Sequence, residues 1–156
     1  MGLKYWLLLR QLLTTSRRVS SKVLEQKDAP PKIDQLQRYL LALIHQLQTK
    51  LEQNKKAEFA TAVSLPVTLY LDEWLMKQYF QNRPNQWALL QTELFQVEHG
   101  GTLFYQLLDQ HLNQSNPSKF ILEVYYFLLK SGFCGVHFNA PKVREEYLIK
   151  IEKRLT

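Results

Sequence analysis

DQLQRYLLALIHQLQTKL, residues 34–51, sets Leu36, Tyr39, Leu40, Leu43, Ile44, Leu47 and Leu51 at steps of three and four. Side chains so spaced lie on one face of an α-helix, and the remaining positions, rich in Gln and Lys, form the opposite face. The spacing predicts an amphipathic helix opened by Asp34 as its N-cap. This stretch is the clearest pattern in the chain, and the segments on both sides repeat its logic.

Upstream, residues 3–25 form a first helical segment with Leu3, Trp6, Leu7, Leu9, Leu13, Val19, Val23 and Leu24. Asp28-Ala29-Pro30-Pro31 ends it, because proline cannot continue a helix and restricts the residue before it. Downstream, a third helix is expected from about Ala57 to Phe80, with a kink or break near Ser64-Leu65 ahead of Pro66. Asn82 to Asn85 reads as a turn, and Trp87, Leu90, Leu94, Phe95 and Val97 as a short helix. Gly100-Gly101 punctuates the chain before a stripe from Leu103 to Leu112. Ser118 caps an almost wholly apolar helix from Lys119 to Lys130. Gly132 and Gly135 bracket an irregular connection to Pro141, and Val143, Tyr147, Leu148, Ile151 and Leu155 mark a last helix. The fold class is all-α, with seven or eight helices in one domain, residues 1–156. At least one of Gly132 and Gly135 is expected at positive φ after the buried helix.

Composition supports this reading and narrows function. Five glycines and six prolines in 156 residues supply too few turns for an all-β fold. The single cysteine, Cys134, excludes an internal disulfide and fits a reducing compartment. The apolar run Phe120–Leu129 has ten residues, half of what a membrane span needs (about 20), and is a core helix. Net charge is +6, unevenly spread: residues 1–56 carry eleven Lys/Arg against four Asp/Glu, 57–98 two against five, 99–137 two against two, and 138–156 five against three. Such separation marks distinct contact patches.

Enzymatic signatures are weak. Asp72 and Glu73 could pair as acid and base, but neighbours on a helix point about 100° apart and do not converge on one atom; a solvated acidic patch that docks a partner fits better. Glu123, among apolar neighbours, and Glu98, ahead of Gly100-Gly101, read as structural ties to backbone amides or a basic group. His45, His99, His111 and His137 are scattered, and Cys134 with His137 makes half of a zinc motif. No phosphate loop or nucleophile motif is present. No cofactor or metal is expected. The basic clusters Arg17-Arg18-Lys22 and Lys50-Lys55-Lys56 lack the interleaved aromatics of a nucleic-acid surface. A basic face toward anionic lipid suits Lys150, Lys153 and Arg154 better.

Three pieces of the chain together resemble the DotU/TssL/IcmH family. The first is Leu71-Asp72-Glu73 followed by Trp87. The second is Phe95, Glu98, Gly100-Gly101 and Phe104, similar to the family's F-x-x-E-x-x-G-G-x-x-F-F with the Glu–Gly spacing one residue short. The third is Glu123, Tyr125-Tyr126, Leu128-Leu129, Gly132-Phe133, Gly135 and Phe138, similar to E-L-x-Y-x-C-L-x-L-G-F-x-G-x-Y. Val124, Phe127, Phe138 and Tyr105 depart from the usual residues but keep size and apolarity. The resemblance implies a hook-like fold of two small helical bundles, and a non-catalytic adaptor of a bacterial secretion-system membrane complex: type VI, or the type IVb IcmH/DotU counterpart. Implied partners are an IcmF/TssM-like inner-membrane protein, a TssK-like baseplate component in type VI systems, and a second copy. The implied location is the cytoplasmic face of the inner membrane, through a C-terminal anchor that would follow Thr156. Asp72 and Glu73 are the partner-binding candidates; Glu98, Gly100, Gly101, Glu123, Gly132, Phe133 and Gly135 are the structural motif.

Overall fold

A computed structural model describes residues 2–28 and 30–156. Among the described residues seven α-helices follow one another: α1 Gly2–Leu24, α2 Ile33–Glu52, α3 Ala57–Tyr79, α4 Leu90–Phe95, α5 Gly100–Leu112, α6 Lys119–Lys130 and α7 Pro141–Leu155. Two single 3-10 turns, Pro84–Gln86 and Gly135–His137, sit in the connections, and no strand occurs among the described residues.

The stripe of residues 34–51 does what its spacing requires. Leu36, Leu40, Ile44, Leu47 and Leu51 are buried along α2, and Tyr39 lies at the edge, 41% exposed. Burying each such leucine or isoleucine contributes about 1.5–3 kcal/mol. Asp34 is not the cap: the helix starts one residue earlier, Lys32 holds the cap position, and no side chain bonds the first amides there. Ser118 does cap α6, its hydroxyl accepting from the Ile121 amide at 3.3 Å.

Of the kink or break expected at Pro66, the break does not occur: α3 runs as one helix through it. Pro66 lies inside the core with Val63, Val67, Leu69, Tyr70, Leu71 and Leu75, so packing on several sides holds the helix through the missing amide. Ser64 and Thr68 are buried without cost, because their hydroxyls donate to Ala60 O and Ser64 O, each at 2.7 Å. At 23 residues α3 is about 34 Å long, the central strut of the molecule. Helix α2 packs along it with α1 against α2, and α4, α5 and α6 also pack on α3. The helices share one continuous hydrophobic core. Arg17 of α1 donates to the Tyr70 hydroxyl, and the Ser21 and Tyr79 hydroxyls meet at 2.9 Å.

The end of α6 follows glycine chemistry closely. The Phe133 amide donates to Leu128 O at 3.1 Å and the Gly132 amide to Leu129 O at 3.1 Å, a Schellman closure with Gly132 at φ 109°. Gly135 is also left-handed, at φ 57°. No helix among the described residues is long and apolar enough to cross a membrane.

Candidate functional site

Asp72 and Glu73 lie in the second half of α3, and their 100° divergence sends them to two different places. Asp72 is 1% exposed. Its Oδ1 accepts from Trp87 Nε1 at 3.0 Å and from the Leu90 amide at 2.9 Å. Its Oδ2 accepts from the Gln91 amide at 2.9 Å and from Gln91 Nε2 at 3.0 Å. Leu90 and Gln91 open α4, so this carboxylate caps that helix from a neighbouring one. Burial pushes the carboxyl above its ordinary range, and the four donors pull against that push.

Glu73 turns toward the loop after α6. Its two oxygens accept from the Cys134 amide at 2.8 Å and the Gly135 amide at 2.7 Å. Cys134 in the right-handed and Gly135 in the left-handed region aim successive amides at one point, a concavity suited to an anion. Lys77 completes the shell at 3.1 Å, the one ion pair among the described residues.

Glycines let these ties close. A Cβ on Gly100 would fall 2.2 Å from Gln91 Oε1 and 2.5 Å from Leu69 Cδ2, so any side chain there would displace the glutamine that serves Asp72. A Cβ on Gly135 would meet Gly101 O at 2.7 Å, which shows how closely the start of α5 approaches the loop. Phe133 is buried between them and stacks on Phe104 at 4.0 Å between ring centroids. The Tyr105 hydroxyl donates to Cys134 O at 2.7 Å. A crevice of about 210 Å3 remains over Asp72, Glu73, Gln91, Gly101 and Phe133.

The three sequence pieces that looked separate are thus one junction. Asp72, Glu73, Gly100, Gly101, Phe133 and Gly135 meet in it, and Gly132 closes the helix leading into it. Asp72 and Glu73 do not form the exposed acidic patch expected of them: one is buried and the other is engaged by three donors. Glu98 and Glu123 also depart from expectation. Both are exposed, and among the described residues neither accepts an amide or meets a basic group: Glu123 lies on the outer face of α6, and Glu98 in the bend before α5. Gln91, which sequence reasoning missed, supplies two of the four bonds to Asp72; the signal for it was Gly100, whose missing side chain makes its room. Among the described residues no three His, Cys, Asp or Glu side chains gather as a metal site.

Comparison with known proteins agrees with this architecture. The structure of DotU from Francisella novicida superposes with a TM-score of 0.78 at 20% identity, covering 98% of this chain and 99% of that one. That likeness shows the fold. No curated protein matches the chain. Residues 8–156 match the sequence model of the family described as type VI secretion system protein DotU, and the chain therefore belongs to the DotU family of secretion-system components.

Proposed function

We propose that this chain is a non-catalytic scaffold of a type VI secretion membrane complex, working at the cytoplasmic face of the inner membrane. The observation that carries this reading is the junction. Asp72, Glu73 and the four signature glycines serve internal hydrogen bonds, helix termination and close backbone contact, so this part of the motif preserves a shape rather than presenting a reactive group. An IcmF/TssM-like inner-membrane protein and a TssK-like baseplate component are the partners this scaffold would hold. The basic residues Lys150, Lys153 and Arg154 of α7 suit a neighbouring anionic membrane surface.

The test is assembly in cells. The full-length protein, solubilised from membranes, should copurify with the IcmF/TssM-like protein, and its loss should stop the complex from forming. A complex that assembles fully without it would overturn the scaffold reading.

A further inference from the structure

We infer that the groove between α1 and α2 receives an acidic amphipathic helix from a protein partner of the complex. This inference rests on the scaffold reading above and names the chemistry of one contact. The groove measures about 210 Å3; Leu8, Leu12, Tyr39, Leu43 and Leu47 form its floor, Gln11, Thr15 and Gln46 line its walls, and Lys50 lies at one end. Helix periodicity extends both walls. Along α1 the same stripe begins at Lys4 and continues to Arg18 and Lys22; along α2 it runs from Lys32, just before the helix, to Lys50. All five of these cations are exposed.

None of the five makes an ion pair among the described residues, whose one such pair is Lys77 with Glu73. Helix α1 contains no Asp or Glu, and the two acids of α2, Asp34 and Glu52, lie in its terminal turns. A surface with an apolar floor and cationic ends on both walls fits one kind of occupant well: a helix whose apolar face enters the groove while its acidic flanks meet the lysines and arginines. A nucleic acid would leave the leucine floor unused. A second copy of this chain offers no such helix, since Asp72 and Glu73 are spent internally and α7 carries a net positive charge.

The experiment places a photo-cross-linking amino acid at Gln46, in the groove wall, and at the exposed Glu123 of α6 as a control, in the full-length protein in cells that assemble the complex. Cross-linked peptides are mapped by mass spectrometry. The expected adduct at Gln46 is a protein segment with net negative charge and apolar residues at three- and four-residue spacing. Its yield should fall about tenfold in a Lys50→Glu, Arg18→Glu double variant that melts like wild type. An adduct to lipid, to nucleic acid, to a second copy or to a basic segment overturns the inference, as does no adduct at Gln46 in a chain that still copurifies with its complex. If the chain fails to copurify at all, the scaffold reading falls and takes the inference with it.

Discussion

The junction around Asp72 and the groove between α1 and α2 are opposite solutions to the placing of charge. At the junction two carboxylates meet six N–H donors and a lysine, and backbones approach too closely for side chains. Along the groove five cations point outward with no acid among them. Charge that is satisfied internally fixes the angle between helices; charge left unsatisfied is available to another molecule. The sequence suggested a solvated patch at the acidic pair, whereas Asp72 is buried and Glu73 is engaged by three donors.

Asp72→Ala should separate the regions most sharply. It leaves Trp87 Nε1, two α4 amides and the Gln91 side chain without an acceptor, at a cost of about 3–5 kcal/mol. Thermal unfolding should show a fall in Tm of roughly 10 °C for a domain of this size. Reversing both Asp72 and Glu73 to Lys should prevent stable folding, and a double reversal that melts like wild type would erase the distinction drawn here.

Two glycines sharpen the account of the junction. Both have positive φ, but a Cβ on Gly132 meets open space whereas one on Gly135 meets Gly101. Gly135→Ala should therefore cost about 2–4 kcal/mol, strain plus contact, and Gly132→Ala about 1–2 kcal/mol, strain alone. Equal losses in chemical denaturation would show that contact with α5 contributes nothing.

A gentler test uses pH. His111 packs 5.8 Å from the Tyr125 ring, and burial lowers its pKa below 6.5. The unfolded chain takes up its proton first as pH falls, so this part of stability is intact above 6.5 and declines from there toward the folded value. His111→Gln should remove that decline, read as a flatter Tm profile between about pH 7 and 5. The smallest effect belongs to the groove. Lys50→Glu and Arg18→Glu should each change stability by less than about 0.5 kcal/mol, since neither cation has a carboxylate partner to lose.

What the sequence made legible follows from periodicity. Helices α2 and α6 were readable because each buries one face. Helix α3 was harder because it is buried on several sides, which removes the stripe that would have shown it continuing through Pro66. The glycine closure after α6 was readable from the order of residues, for it is a local structure. The roles of Asp72 and Glu73 were not, because their partners other than Lys77 lie 15 to 62 residues away and a carboxylate in sequence carries no mark of which way it faces. Glu98 and Glu123 erred the other way: the apolar neighbours of Glu123 and the place of Glu98 ahead of Gly100-Gly101 suggested structural ties, but both side chains are exposed.

Glu73 also sets a timetable for the nascent chain. Its amide partners at Cys134 and Gly135 come 61 and 62 residues later, so at ordinary translation rates the ribosome delivers them roughly 3–12 s after the carboxylate. Lys77, four residues on, is available almost at once. During synthesis the lysine can hold the carboxylate as a local stand-in while α1, α2 and α3 gather, and the arrival of Gly135 then locks the late helices onto the early ones. A chain stalled before that glycine would carry an α3 with one face still open, a natural point for chaperone engagement or degradation.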